Sequence, residues 1–163
     1  MRLPLLVLPA LLALGACATE PEPTSEADAL DTVTAAPAAG VVADGAMARA
    51  APAGGVSAAY LTIQNGDALP DTLVRAGTSA AGRVEIHRTA EDANGLSTMT
   101  PVEGGLAVPA GATVTLEPGG LHVMLLDLQR DLVDGDTLSL DLEFSSGTRR
   151  TVLAPVRAVN GAR

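Results

Sequence analysis

The chain has 163 residues, which is enough for one domain of ordinary size. Its formal net charge of −9 argues against a nucleic-acid partner, because such a protein needs a basic surface. With one Tyr, one Phe and no Trp, the core must be built from aliphatic side chains. The single cysteine, Cys17, excludes a disulfide within the chain.

Residues 1–16 have the pattern of a signal peptide. Arg2 precedes an apolar run that is too short to span a membrane and that ends in Leu14, Gly15 and Ala16. This ending, followed by Cys17, resembles the lipobox of bacterial lipoproteins, in which the cysteine is lipidated. We predict a periplasmic protein anchored to a bacterial membrane through lipid on Cys17, with the outer membrane favoured by the residue that follows. The alternative is an ordinary signal peptide with an incidental cysteine.

The rest of the chain divides into three parts by composition. Residues 17–40 are rich in Glu, Pro, Thr and Ala and have few large apolar side chains, which predicts a disordered tether behind the lipidated cysteine. Residues 41–159 consist of short apolar runs separated by Gly, Pro, Asn and Asp, which predicts one β-rich domain. Residues 160–163 form a short tail.

The β-rich domain contains seven predicted strands. They are residues 56–64, 71–76, 83–88, 112–116, 121–128, 137–144 and 151–159. In residues 137–144, apolar side chains occupy every second position from Leu138 to Phe144, so one face of that strand should lie in the core. Pro155 indicates an edge strand or a bulge. No long stretch has a helical period, so the sequence predicts an all-β fold, a β-sandwich or barrel.

Two histidines and two methionines form a candidate metal site. His122 and Met124 are two residues apart in a predicted strand and therefore share a face. His87 ends another strand, on the polar face that also carries Glu85. Met99 follows a turn signal, and we expect it in an irregular loop that folds over the two strands. We expect a shallow, exposed site.

These residue types suit Cu(I). Thioether sulfur and imidazole are good ligands for Cu(I), whereas Mg²⁺, Ca²⁺ and Mn²⁺ prefer oxygen ligands. A blue-copper electron carrier needs a cysteine ligand, and the domain has none. The opposing interpretation is that the methionines only fill the core and the histidines are incidental polar residues.

The same residues resemble the PCuAC family of periplasmic copper chaperones. In that family a His is followed by a Met about a dozen residues on and then by a distant His-x-Met, which here is His87, Met99 and the pair His122 and Met124. The surrounding sequence is similar too, in residues 58–63, 99–106, 109–111 and 116–125, and the resemblance covers residues 41–157. Arg88 and Met47 depart from the residues that are common in the family.

The resemblance implies a cupredoxin-like fold, related to the immunoglobulin-like β-sandwich, and four Cu(I) ligands, His87, Met99, His122 and Met124. It also implies copper transfer by ligand exchange, with cytochrome c oxidase subunit II or a Sco-type protein as the acceptor. No catalytic motif is present, and we do not expect an enzyme. Two other functions stay open, copper storage or resistance, and a structural lipoprotein that binds no metal.

Overall fold

The computed structural model describes residues 40–91 and 93–158, which contain ten β-strands and no helix. The strands are β1 (Val41–Arg49), β2 (Ser57–Asn65), β3 (Asp71–Gly77), β4 (Ala81–Glu91), β5 (Ser97–Pro101), β6 (Leu106–Val108), β7 (Thr113–Leu116), β8 (Leu121–Leu128), β9 (Thr137–Phe144) and β10 (Arg149–Arg157). The predicted all-β class is confirmed. Within these ranges no helix could cross a membrane. The predicted signal peptide, Cys17 and nearly all of the tether and tail lie outside the described residues.

The strands form one open sheet that curls around a single core. Its hydrogen-bonded order is β5-β4-β8-β2-β1-β10-β9-β3-β6, and β2 pairs with β8 along its first half and with β7 along its second. Every pairing is antiparallel except a short parallel one between β1 and β10. Pro155 lies just before that parallel pairing begins, where β10 is paired only with β9. Since proline has no N–H to donate, this edge-like position suits it, as predicted.

Aliphatic side chains from both halves of the sheet fill the core. Val123 and Leu125 of β8 belong to the same hydrophobic cluster as Leu140 and Phe144 of β9. Along β9 every second residue is buried, which confirms the alternation predicted for that strand. Because successive side chains of a strand point to opposite faces, the residues of β8 that flank Val123 are directed away from this core.

Three strands were not predicted from the sequence. β1 contains Gly45 at φ 60° beside a register shift between Asp44 and Met47, so a bulge interrupts its apolar alternation. β6 has only three residues. β5 contains Met99, and the expectation that Met99 lies in an irregular loop is therefore wrong. All five residues of β5 are exposed, so this edge strand has no buried face to produce an apolar pattern.

A buried carboxylate joins the start of β3 to the turn between β9 and β10. Asp71 accepts hydrogen bonds from Ser145 Oγ (2.8 Å), the N–H of Ser146 (3.1 Å), Ser146 Oγ (2.6 Å) and the N–H of Thr72 (2.7 Å). Burial alone would raise the pKa of Asp71, but these hydrogen bonds together outweigh burial and hold its pKa below the ordinary value. Asp71 is therefore an ionised carboxylate whose hydrogen bonds connect β3 to the turn between β9 and β10.

Candidate metal centre

The pairing of β4 with β8 brings the two histidines together. His87 lies directly opposite His122, and Glu85 lies directly opposite Met124. Directly paired residues share a face of the sheet, so all four side chains are on the face away from the core residue Val123. The predicted placement of His122 beside Met124, and of His87 with Glu85, is what the strands show.

The distance between the two imidazoles fits a shared metal ion. Their ring centroids are 6.0 Å apart, with an angle of 49° between the ring planes. Metal–imidazole bonds are about 2.0–2.1 Å long, so two rings that share one ion have centroids no more than roughly 6.5 Å apart. Both histidines are buried, with relative exposures of 9% for His87 and 4% for His122. The expectation of a shallow, exposed site is therefore wrong for the histidines.

Hydrogen bonding assigns the free nitrogen of His122. Its Nδ1 lies 3.1 Å from the carbonyl oxygen of Gly120. A carbonyl can only accept, so Nδ1 must carry the proton and donate it. The unprotonated nitrogen is then Nε2, which has a lone pair for a metal. Metal-binding histidines commonly donate their second nitrogen in this way.

His87 has the opposite arrangement. Its Nε2 lies 2.8 Å from Glu85 Oε2, and an ionised carboxylate can only accept, so Nε2 carries the proton. The lone pair of His87 is then on Nδ1. Among the described residues, Nδ1 is the one buried side-chain nitrogen or oxygen that has no hydrogen-bond partner. Buried polar atoms are normally paired, and a metal ligand is a direct explanation for one that is not.

The carboxylate of Glu85 is itself held by Arg83. Arg83 Nε lies 3.1 Å from Glu85 Oε1, on the oxygen that His87 does not use. The hydrogen bond from His87 lowers the pKa of Glu85; partial desolvation opposes this, and the nearby Arg83 charge adds to the lowering. Glu85 is therefore an ionised acceptor.

Among the described residues, no group of three or more His, Cys, Asp or Glu side chains could hold a metal.

The two methionines lie on the same face of the sheet as the histidines, on either side of His87. Met99 on β5 lies opposite Thr89, and Met124 on β8 lies opposite Glu85. Each methionine is therefore a diagonal neighbour of His87. A cavity of about 380 Å³ is lined by Met99, Met124 and His122 together with Tyr60. Met99 is 50% exposed, so this side of the site opens to solvent through the edge strand.

Sequence reasoning missed two neighbours of these four residues. Tyr60 is the sole tyrosine, and its ring centroid lies 6.5 Å from that of His122. Glu85 was placed on the face of His87 but was given no role. The spacing of two residues between Glu85 and His87 was the available signal, because it brings the side chains of a strand side by side.

Comparison with known proteins identifies the family. The family described as "Putative lipoprotein LpqE-like" matches residues 41–156, which is more than half of the chain. A protein of Leifsonia xyli subsp. xyli named "Putative lipoprotein Lxx21020" is 37% identical over 108 residues, covering 66% of this chain. The match spans 64% of that relative's length, somewhat less than two thirds.

Solved structures give the same grouping. The copper-bound PCuAC domain from PmoF2 has a TM-score of 0.62 and 25% identity, with 74% of this chain and 96% of that domain covered. The Cu(I) form of DR1885 from Deinococcus radiodurans has a TM-score of 0.59 and 32% identity, with 80% and 85% covered. The predicted cupredoxin-like fold of the PCuAC domains is thereby confirmed. The chain belongs to the LpqE-like lipoprotein family, and its β-sheet domain is of the PCuAC type.

Proposed function

We propose that the protein is an extracytoplasmic copper chaperone that carries one Cu(I) ion between His87, His122, Met99 and Met124. The observation that carries this proposal is the buried, unpaired Nδ1 of His87 in an imidazole 6.0 Å from that of His122. The copper bound by the PCuAC domain of PmoF2 and by DR1885 supports the same cargo. Two imidazoles and two thioethers are a soft, neutral donor set that suits Cu(I).

Release of the ion would proceed by ligand exchange. The two histidines are buried, whereas Met99 lies on the exposed edge strand β5. An acceptor ligand would therefore replace Met99 first and take the ion from the histidines afterwards. This accessible thioether favours transfer over storage. We assign the protein a binding role and no catalytic one.

The proposed anchor is based on the lipobox-like sequence, and the proposed acceptor on the resemblance to the PCuAC family. Lipid on Cys17 would hold the domain in the periplasm, at a bacterial membrane, with the outer membrane favoured, and residues 18–40 would act as its tether. The acceptor we propose is the copper site of cytochrome c oxidase subunit II or a Sco-type thiol protein. Metabolic labelling with a fatty-acid analogue tests the anchor, and a Cys17→Ser variant should lose the label.

An anaerobic competition titration against a colorimetric Cu(I) chelator tests the cargo. All proteins carry Cys17→Ser, so that no thiol competes for copper. We expect one tight equivalent, weakened by His122→Ala and by Met124→Ala and unchanged by Met47→Ala. Met47 is the matched control, because it lies on β1, opposite Tyr60 of β2, and does not line the cavity. Absence of binding above the chelator background would leave a lipoprotein with no metal cargo.

The single tyrosine gives a second readout. The chain has no Trp, so its emission arises from Tyr60, which lines the same cavity as His122 and Met124. Copper at the proposed site should change that emission up to one equivalent and no further. An emission that stays constant while copper binds would place the ion elsewhere on the protein.

A further inference from the structure

We infer that Glu85 is a positioning residue that sets which nitrogen of His87 binds the ion: by accepting a proton from Nε2, it makes Nδ1 the ligand. This inference rests on the proposed copper site and assigns a part to a residue outside the four ligands. It also predicts that the two histidines bind through different nitrogens, His87 through Nδ1 and His122 through Nε2.

The geometry of β4 places three polar side chains in a row. Arg83, Glu85 and His87 occupy alternate positions of one strand, so their side chains lie on one face. The contacts follow in series, 3.1 Å from Arg83 Nε to Glu85 Oε1 and 2.8 Å from Glu85 Oε2 to His87 Nε2. Arg83 therefore occupies one oxygen of the carboxylate while the other oxygen is directed to the imidazole.

The hydrogen bond to Glu85 determines which nitrogen of the His87 ring carries the proton. In neutral imidazole one nitrogen donates and the other has the lone pair. Glu85 is acceptor-only while ionised, so it stabilises the tautomer with the proton on Nε2. In water the two tautomers of a free imidazole are close in energy, and a charged hydrogen bond at 2.8 Å is enough to select one of them.

The unpaired nitrogen of His87 costs free energy in the absence of a ligand. His87 Nδ1 is buried without a partner. The opposite tautomer would give this nitrogen a proton, but it would leave Glu85 Oε2 without the donor that His87 supplies. The fold therefore keeps the lone pair of His87 Nδ1 buried, in a ring that neighbours the imidazole of His122. Carboxylates that accept from a metal-bound histidine fix the ring and raise its basicity, and losing such a partner typically lowers metal affinity about 10–100-fold.

His122 provides an internal comparison. Its proton is on Nδ1 and is donated to the Gly120 carbonyl, a neutral backbone acceptor (3.1 Å), whereas His87 donates to a carboxylate (2.8 Å). A backbone carbonyl cannot be removed by substitution, but Glu85 can. The tautomer of His87 is therefore open to experiment, and that of His122 serves as the unchanged reference in the same spectrum.

The test is long-range ¹H–¹⁵N correlation NMR of the two histidines, in the apo protein and with one equivalent of Cu(I), which is diamagnetic. In the wild type we expect His87 to show a protonated Nε2 and an unprotonated Nδ1, and copper to shift Nδ1. In Glu85→Gln we expect a mixed or reversed tautomer at His87, an unchanged His122, and a Cu(I) affinity about 10–100-fold lower.

Glu143→Gln is the matched control. Glu143 forms an equivalent exposed pair with Arg149 at 2.9 Å, on β9 and β10 and away from the site. It should change neither the tautomer nor the affinity. A wild-type spectrum in which copper binds His87 through Nε2, or a Glu85→Gln variant with unchanged tautomer and affinity, would overturn the inference while leaving the copper site intact. If copper does not bind at all, the proposed function fails, and with it the ligand assignment of Nδ1.

Discussion

Asp71 and His87 are both buried polar residues on strands, and their hydrogen bonding differs. Four donors surround the carboxylate of Asp71, whereas Nδ1 of His87 has no partner among the described residues. A satisfied buried group stabilises the fold, while an unpaired one costs free energy unless something binds it. Asp71 therefore serves the structure, whereas the unpaired nitrogen of His87 supports the proposed metal site.

The largest effect should come from His122→Ala. This change removes one of the two buried imidazoles from the site, and we expect the Cu(I) affinity to fall by at least about 100-fold, more than the loss of an outer hydrogen-bond partner. Chelator competition measures it. Met47→Ala, on the same sheet, should leave the affinity unchanged. An affinity that survives His122→Ala would show that the paired histidines are not the site.

Asp71→Ala should lower the stability of the fold without changing the copper affinity. It leaves the donors of Ser145, Ser146 and Thr72 without their acceptor, and we expect the free energy of unfolding to fall by about 2–3 kcal/mol. Urea denaturation followed by Tyr60 emission measures the loss. Copper affinity should stay the same. Asp141→Ala is the control, because Asp141 is exposed and accepts from Thr151 Oγ1 at 2.6 Å, and it should cost less than about 1 kcal/mol. Equal losses from the two variants would contradict the role given to Asp71.

Lowering the pH should remove the contribution of the Asp71 carboxylate to the free energy of unfolding. Its pKa in the folded protein is below the unfolded value, so the stabilisation is complete above the unfolded pKa and is lost as the pH falls through the folded pKa. The difference in unfolding free energy between the wild type and Asp71→Asn should therefore narrow as the pH is lowered below about 4. Urea titrations at a series of pH values measure it. A constant difference throughout would mean that the Asp71 charge does not contribute.

Met99→Ala should have the smallest effect on the metal site. Met99 is half exposed on edge strand β5, so water already reaches the place it occupies. We expect an affinity loss of roughly tenfold or less, smaller than that of Met124→Ala, and faster transfer of Cu(I) to a chelator in stopped-flow measurements. A loss as large as that of His122→Ala would show that Met99 is as essential as the buried ligands.

Much of the fold could be predicted from short-range pattern. The alternation of apolar residues at every second position predicted β8 and β9 with the bounds observed. It also placed His122 beside Met124. β1 and β5 were missed for physical reasons. A bulge at Gly45 breaks the alternation of β1, and an edge strand with both faces exposed has no alternation to read.

The candidate ligands could be selected from the sequence, but their arrangement in space could not be predicted. His87 and Glu85 share a face because they are two residues apart, which the sequence shows. That His87 is paired with His122, 35 positions further along the chain, depends on the register between β4 and β8. Register is decided by the packing of the whole strand face, which a local pattern does not contain. The burial and the unpaired nitrogen of His87 follow from that register.

The most direct test of the contrast between Asp71 and His87 is a pair of measurements on His87→Leu, the Cu(I) affinity and the free energy of unfolding without metal. Leucine removes the unpaired buried nitrogen, and Glu85 is accessible enough to be hydrated. We predict that copper affinity is lost while stability is unchanged or rises by up to about 1 kcal/mol. A variant that keeps its copper affinity would show that His87 is not a ligand. A variant that loses more than about 2 kcal/mol of stability would show that His87 serves the fold, and either result would contradict the contrast with Asp71.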